Sequence, residues 1–298
     1  MSAHELTTPA MRLDRLPRRR AVNRTMEVLA WLSATIGVGI LAFVVYSVAR
    51  RGWSELSLSL ITKPPIPFSF TNAPQGLANA FAGTLVIVGL ATVMALPVGI
   101  LIAIYLNEFA PPSIRTGVGL ALDVLAGVPA IVIGIFVYGL LVVGGGGQSG
   151  IKAAFALSIL MLPFVSRTTI EVLGLVPNSL REASLGLGIP QWRTTLSIVL
   201  PRAIGGILTG TVLAVARVAG ETAPLLFTSS LVGPRTSWNP THALQTVPLS
   251  IFELSESPNP KDHARAWAAA FVLLVFILVA SLTARWLATR NARKIAGR

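Results

Sequence analysis

Six long apolar stretches constrain the fold of this chain, because each is long enough to cross the hydrocarbon core of a bilayer. A helix needs about 20 residues to span roughly 30 Å of hydrocarbon. The stretches cover residues 26–48, 77–106, 117–143, 151–172, 203–229 and 267–287. Inside lipid every backbone polar group must be satisfied within the protein, and segments of this length do so as helices. The sequence therefore predicts an all-α integral membrane protein, a six-helix transmembrane bundle.

The composition supports lipid rather than water as the solvent. Charged residues make up 12% of the 298 residues and hydrophobic residues 53%, whereas soluble domains carry about 25% charged residues. The net charge of +12 raises the possibility of nucleic acid binding. The cations cluster at the ends of apolar stretches, however, as at Arg18, Arg19, Arg20 and Arg24. We therefore expect a lipid bilayer and no nucleic acid as the partner surface.

The distribution of lysine and arginine orients the bundle. With the N-terminus inside, sixteen of these residues lie in cytoplasmic segments or in the cytoplasmic ends of the spans, and seven lie in outer segments or in the outer ends of the spans. Cytoplasmic loops carry the excess of basic residues, so both termini are predicted in the cytoplasm. A basic tail (1–25) and a short tail (291–298) would flank a transmembrane domain (26–290). The first apolar stretch is too long for a signal peptide and has no cleavage site after it, so we interpret it as a retained span.

Two outer loops differ in character. The loop at 52–75 is rich in proline and serine and is predicted to be irregular. The loop at 231–265 has an apolar centre, residues 247–252. That centre either lies at the outer interface and docks a partner, or packs over the mouth of the bundle.

Two motifs suggest enzymatic chemistry and fail on context. Gly145, Gly147 and Gly150 match G-x-G-x-x-G, but that fingerprint needs a preceding strand in a βαβ unit. The chain has no phosphate-cradling loop and no cysteine, so we expect no ATP site, cofactor or metal of its own. Ser149 lies in G-x-S-G, as in membrane serine proteases. Such a serine needs a base, and no histidine lies within a span, which leaves a protease as a minor alternative.

The segment between the fourth and fifth spans, about 174–202, predicts two short helices on the cytoplasmic face. Ser179 and Glu182 are spaced as a capping box. Gly188 suits the left-handed position that ends a helix, and Pro190 suits the first position of the next helix. Pro201 is expected to interrupt that second helix before the fifth span.

The same segment resembles the EAA motif of ABC importer permeases. The motif positions are occupied by Glu182, Ala183, Ser184, Gly188, Ile198, Leu200 and Pro201. The chain departs from the pattern at Ser184, where the motif has a second alanine. The resemblance implies an ABC importer permease fold in which this segment is a coupling helix seated on a cytoplasmic ATPase.

Five charged residues fall within the predicted spans: Asp123, Arg167, Glu171, Arg217 and Glu221. A charge at bilayer depth costs at least about 2.5–3.5 kcal/mol, so it faces a partner or a water-filled path. Arg167/Glu171 and Arg217/Glu221 are spaced to share a helix face, and Asp123 and Arg167 lie at similar depths. Either the arginines pair transiently with an anionic substrate, or they form ion pairs that fix helix register.

A second resemblance concerns the amino-acid sequence around these charged residues. Residues 127–129, 167–169, 175–183, 216–228 and 248–252 are similar to the PstA family of permeases from bacterial phosphate importers. This implies a cytoplasmic (inner) membrane subunit that works with a PstC-like permease, a PstB-like ATPase dimer and a PstS-like phosphate-binding protein. The substrate path would then include Arg217, Glu221, Arg167, Asp123 and Thr222. A permease for another oxyanion, molybdate or sulfate, is the main alternative.

Overall fold

The computed structural model describes residues 16–65, 75–230 and 236–295, which are mostly helical. They divide into two units, residues 1–50 and 51–298. The first unit consists of helix α1 (Leu16–Gly52), which contains the first predicted span and ends just beyond the unit. Most of its apolar side chains are accessible, such as Trp31 (71% exposed) and Phe43 (70%), as expected of a helix that is apolar all round and spans a membrane. The predicted tails fall partly on 1–15 and 296–298, outside the described residues.

The second unit holds the remaining helices. They are α2 (Leu58–Thr62), α3 (Ala78–Ile104), α4 (Pro112–Gly127), α5 (Ala130–Val137), α6 (Gly150–Gly174), α7 (Asn178–Gly186), α8 (Gln191–Thr194), α9 (Leu200–Ala219), α10 (Leu225–Thr228), α11 (Val247–Ser255) and α12 (Pro260–Ile295). Three π-helical turns extend α3, α5 and α8, at Tyr105–Phe109, Tyr138–Val142 and Thr195–Val199. The loop at 52–75 was predicted to be irregular, which is wrong in part. It contains a 3₁₀ turn (Trp53–Glu55) and α2, and 66–74 lie outside the described residues.

Helix α6 is the central element of this unit, packed between α3 and α9, and α9 packs in turn against α12. Small residues explain how closely these helices approach. A Cβ on Gly99 of α3 would lie 2.8 Å from Val165 on α6. On α9, Cβ atoms at Gly206 and Gly210 would lie 2.6 Å from Val172 and 2.6 Å from Thr168. Small residues four apart let two membrane helices approach backbone to backbone, which replaces the hydrophobic driving force that lipid does not supply.

The third predicted span, 117–143, is not one helix. Helices α4 and α5 meet at a break where the chain bends by 95°. Pro129 has no N–H to donate and forces the preceding residue out of the helical region. Val128 accordingly has φ −67° and ψ 128°. The predicted stretch 117–143 was taken as one span, whereas Pro129 ends α4 within it. The described residues thus contain five helices long and apolar enough to cross a membrane, and up to six spans if the bent pair counts as one.

The fifth predicted span, 203–229, differs at both ends. The helical path begins at Gln191, runs through the π turn at Thr195–Val199 and ends at Ala219. Pro201 was expected to interrupt this path, but it lies in the first turn of α9. The wider turn before it tolerates the amide that proline lacks. After Ala219 the chain turns at Gly220, and α10 is a separate short helix.

The described part of the loop predicted at 231–265, residues 236–265, packs onto the bundle. Its apolar centre forms α11, whose residues Val247, Pro248, Leu249 and Ser250 are buried against α12 and α3. This packing on the bundle is what the second of the two interpretations predicted, and Phe252 at the end of the apolar centre is 44% exposed.

Candidate functional site

The break between α4 and α5 borders a small cavity of about 50 Å³. Its walls are apolar except for one cation and one carboxylate. The lining residues are Leu125, Ala126, Val128, Ala130, Leu160, Phe164, Arg217, Val218 and Glu221. Irregular backbone at membrane depth is tolerated where it lines a cavity, and broken helices of this kind form binding sites in transporters.

Arg217 lies in the last turn of α9, above the ring of Phe164 on α6. Its guanidinium carbon is 4.1 Å from the ring centroid, within the range of a cation–π contact. The ion pairs found among the described residues do not include Arg217, and its side chain is exposed in the isolated chain. A cation at this depth therefore has an aromatic face beneath it and its polar edge free for another ligand.

Glu221 does not stack on Arg217 along a helix, contrary to the predicted spacing. Helix α9 ends at Ala219, and the amide of Glu221 bonds to the carbonyl of Val218 in a turn (3.1 Å). Both charged side chains nonetheless line the same cavity. Thr222 is half-buried beside them but is not among the lining residues. Its carbonyl accepts the amides of Leu225 and Leu226, so it anchors the start of α10.

Asp123 and Arg167 form an ion pair between α4 and α6, as their matching depths predicted. Arg167 also donates to the carbonyl of Gly119, while its Nε is buried without a partner. Asp123 lies two residues before Leu125, and Arg167 three residues after Phe164, so the pair is about one helical turn from the cavity. Glu171 is exposed and makes no ion pair among the described residues.

The helix dipoles do not by themselves make the cavity positive. The N-terminus of α5 and the C-termini of α4 and α9 all end near it, and each C-terminus carries a partial negative charge. Arg217 therefore supplies the positive charge of the cavity, with Arg167 as a second cation one turn away. The arrangement can hold a small anion transiently, and it contains no nucleophile paired with a base.

The segment predicted to couple to an ATPase, about 174–202, folds into α7, a turn and α8. It differs from expectation in one respect. Helix α7 begins at Asn178 with Pro177 at the N-cap, and no side chain caps it. The predicted capping box of Ser179 and Glu182 is therefore absent, because the N-cap is Pro177 and the helix starts two residues too early for Ser179 to cap it. Gly188 has φ +74°, which confirms the left-handed turn that only glycine adopts without strain.

The motif residues divide into an exposed set and a packed set. Glu182, Ala183 and Gly188 are exposed, and Leu185 and Leu187 beside them are 50% and 81% exposed. Ser184 is buried and shares a hydrogen bond with Thr194 (2.8 Å), which ties α7 to α8. Ile198 and Leu200 are half-buried, and Pro201 is exposed at the start of α9. The exposed set forms a continuous surface on α7 and the turn after it, and Ser184 holds α7 against α8.

An ion pair that the sequence did not reveal links α7 to α3. Two nitrogens of Arg181, Nη2 and Nε, donate hydrogen bonds to the carboxylate oxygens of Glu108 at 2.8 and 3.1 Å, although 73 residues separate the two side chains in the sequence. Glu108 was not singled out because nothing local marks it. The only sequence signal is an acidic residue at the end of an apolar stretch with no cation one helical turn away.

Ser149, the serine of the protease alternative, has a structural role. It caps α6, and its hydroxyl accepts the amide of Lys152 (3.3 Å). The described hydrogen bonds of its hydroxyl include no histidine. Among the described residues there is also no cluster of three or more histidine, aspartate or glutamate side chains that could hold a metal ion.

Comparison with known proteins gives matches at the family and protein levels. Residues 95–293 match the family described as binding-protein-dependent transport system inner membrane component. The phosphate transport system permease protein PstA of Haemophilus influenzae is 39% identical over 269 residues, 90% of this chain and 94% of that protein. PstA 1 of Mycobacterium tuberculosis is 37% identical over 287 residues, 93% of this chain and 91% of that protein.

Solved structures of ABC transporters share the fold. A bacterial alginate ABC transporter in complex with its periplasmic protein superposes with a TM-score of 0.63 and 16% identity, covering 94% of this chain and 99% of the matched one. The MetNI methionine ABC transporter in an inward-facing conformation gives 0.57 and 16% identity, covering 72% and 94%. The predicted fold class, an all-helical permease bundle, is confirmed.

Proposed function

We propose that this chain, which belongs to the family of binding-protein-dependent transport system inner membrane components, is the subunit that passes phosphate through the membrane in an ATP-driven importer. Membership makes the chain a multi-pass membrane transport subunit, and it implies an ATPase and a substrate-binding protein as partners. The chain is a permease rather than the enzyme of the system. We further propose that the substrate is phosphate, that the partners are PstC-, PstB- and PstS-like subunits, and that the chain lies in the inner membrane with both termini cytoplasmic.

The observation that carries the substrate proposal is Arg217 at the broken-helix cavity. A planar guanidinium with an apolar ring beneath it offers two parallel N–H donors to an oxyanion. Relatives named as phosphate permeases match over 90% or more of this chain, which favours phosphate among the oxyanions. Glu221 on the same cavity keeps the anion's hold on Arg217 weak enough for release, since a carboxylate competes for the cation.

The exposed position of Arg217 supports a second permease as partner. A charged side chain at bilayer depth does not face lipid, and this one is exposed in the isolated chain. A PstC-like subunit covering that face would enclose the path between the two chains. Phosphate would then move from Arg217 to Arg167, one turn toward the cytoplasm, where it displaces Asp123.

The surface formed by Glu182, Ala183, Gly188, Leu185 and Leu187 would seat on the PstB-like ATPase dimer. ATP would be bound there and not by this chain, which holds no cofactor in this proposal. Closure of the ATPases on nucleotide would move α7, and a PstS-like protein would deliver phosphate at the opposite face.

Uptake of labelled phosphate tests the proposal. Cells that lack this chain are compared with cells in which it is restored, each challenged with excess sulfate or molybdate. We expect restored uptake that phosphate or arsenate competes away and that sulfate and molybdate leave intact. Restored uptake of sulfate or molybdate instead would replace the substrate while leaving the family assignment in place.

A further inference from the structure

We propose that Glu108 is a positioning residue that fixes the coupling helix α7 to α3, so that movement of α7 is delivered directly to the core of the bundle. The proposal deepens the proposed function and rests on the docking of an ATPase on α7. It concerns a contact between elements far apart in sequence, which neither the motif nor the charge pattern indicates.

The contact is a buried, two-pronged ion pair. Arg181 Nη2 lies 2.8 Å from Glu108 Oε1, and Arg181 Nε lies 3.1 Å from Oε2. The side chains are only 17% and 4% exposed. Arg–carboxylate pairs in this fork geometry are directional as well as strong, so they fix orientation in a way that a single lysine contact does not.

Every remaining donor of Arg181 is also used, by acceptors on α6, on α7 and in the turn between them. Nη1 donates to the carbonyl of Val176 (2.6 Å) and to Asn178 Oδ1 (3.2 Å), and Nη2 donates to the carbonyl of Leu173 (3.0 Å). All five N–H groups of the guanidinium therefore have acceptors. One side chain joins α7, the C-terminal end of α6 and the end of α3 into one rigid unit.

The end of α3 is shaped to receive this clamp. Glu108 lies in the π turn Tyr105–Phe109, and π turns are rare features associated with functional sites. Gln191 at the start of α8 donates to the backbone carbonyl of Glu108. Arg115 on α4 donates to the carbonyls of Leu106 (2.8 Å) and Asn107 (3.1 Å). Both helices of the coupling segment, α7 and α8, thus contact the same turn.

The covalent chain alone would not deliver movement to α3. Helix α7 is connected by short turns to α6 and to α8, which leads into α9. Helix α3 is covalently joined to neither turn and meets this end of the bundle through apolar packing, as where Ala103 lies in one cluster with Leu173 and Val176. Through Glu108, a displacement of α7 reaches α3, which packs on α6 where Gly99 meets Val165. Val165 is next to Phe164, which lies under Arg217. The clamp therefore connects the ATPase surface to the cavity layer, roughly 13 Å along α3 at 1.5 Å per residue.

The absence of cysteine from the chain permits a direct test of rigidity. Single cysteines at Leu187 on the coupling turn (81% exposed) and Leu101 on α3 (65% exposed) carry spin labels in the complete transporter in nanodiscs. The distance between them is measured without nucleotide and with ATP trapped by a hydrolysis-deficient ATPase. We expect one narrow distribution that is the same in both states, and a broadened one in Glu108→Gln. A distance that changes with nucleotide in the otherwise unchanged protein would overturn the proposal.

Coupling is measured on the same assembly as phosphate transported per ATP hydrolysed. We expect Glu108→Gln to lower this ratio at least about fivefold, the lower end of typical coupling energies, while the ATPase still co-purifies. Arg181→Lys, which keeps the charge but not the fork, should do the same. The double variant should lower the ratio no further than the more strongly affected single variant does, because both substitutions act through one contact. Glu256→Gln, the same change at an exposed carboxylate, serves as the control and should leave the ratio unchanged.

Loss of ATPase docking on α7 and loss of the Glu108–Arg181 contact give different experimental results. If a cross-linker on Leu187→Cys does not capture the ATPase, the docking role of α7 fails and the clamp fails with it. If the cross-link forms and Glu108→Gln and Arg181→Lys both couple normally, the clamp alone is refuted. A variant that only weakens the fold would lower the amount of assembled transporter without changing the ratio in what remains, which also refutes it.

Discussion

Substituting Gly210 by alanine tests whether close packing of α9 on α6 sets the position of Arg217. A Cβ at Gly210 would lie 2.6 Å from Thr168 Oγ1 and 2.8 Å from Thr168 Cβ. Ordinary contacts begin at about 3.4 Å, so the helices must separate by several tenths of an ångström or Thr168 must change rotamer. Thr168 Oγ1 is held by the carbonyl of Phe164 (2.9 Å), which opposes the rotamer change.

The size of the effect follows from two opposing terms. Overpacking of this kind costs about 1–3 kcal/mol. Replacing a helical glycine by alanine gains up to about 1 kcal/mol of helix propensity. Gly89 on α3 provides the matched control, because a Cβ there would meet nothing within 4 Å. The difference between Gly210→Ala and Gly89→Ala should therefore isolate the clash, about 1–3 kcal/mol.

The assay is thermal unfolding of the purified protein in detergent, followed by tryptophan fluorescence. At about 2–4 °C per kcal/mol for a chain of this size, Gly210→Ala should unfold roughly 2–12 °C below Gly89→Ala. Because Arg217 is two turns further along α9, transport should also fall in Gly210→Ala and stay unchanged in Gly89→Ala. Equal unfolding temperatures for the two variants would refute the packing argument.

Three further predictions concern other parts of the structure. Asp123→Asn leaves Arg167 without its counter-charge and should lower the unfolding temperature, and adding Arg167→Gln should restore part of the lost unfolding temperature. The expected coupling energy between the two substitutions is about 0.6–1.7 kcal/mol, as for other contacts between membrane helices. A coupling energy of zero would contradict the ion pair. Gly188→Ala places a side chain at φ +74°, which costs about 1–2 kcal/mol, so the amount of ATPase that co-purifies should fall. Gly186→Ala, at an ordinary φ, is the control. Equal amounts of co-purified ATPase in the two variants would be evidence against the role of this turn. Glu253 lies on α11 outside the spans, where burial raises the pKa of its carboxyl. Because the folded state then holds the proton more tightly, the stability of the fold should fall as pH rises above the ordinary carboxyl pKa. Glu253→Gln should therefore raise the unfolding temperature at neutral pH and not at acid pH. An equal change of the unfolding temperature at both pH values would be inconsistent with this titration.

The membrane spans were predictable because length and hydropathy decide them. Their interruptions were harder to predict. The sequence shows Pro129, but whether a proline kinks or ends a helix depends on what the neighbours can offer its freed backbone groups. At Val128–Pro129 the helix ends and the chain lines a cavity. At Pro201 the helix continues, because the π turn before it tolerates the missing backbone N–H.

The charged residues show the same limit. Asp123 and Arg167 could be paired from depth alone, because both lie on regular helices. Arg217 and Glu221 could not, since their predicted i,i+4 contact assumed that α9 continues past Ala219. Glu108 and Arg181 are far apart in sequence, and only the folded chain reveals that a motif-adjacent arginine closes onto another helix. Local patterns predicted the elements, and long-range packing determined the sites.

Transport by the complete importer in proteoliposomes, with and without Arg217→Gln, tests the central claim most directly. Losing a charge-assisted hydrogen bond of about 1.5–3 kcal/mol should slow ATP-driven phosphate uptake about 10- to 150-fold. Arg202→Gln, an exposed arginine in the first turn of the same helix, is the control and should leave uptake unchanged. The account predicts this loss with all subunits still co-purifying. Uptake at the unsubstituted rate in a stable Arg217→Gln assembly would contradict it.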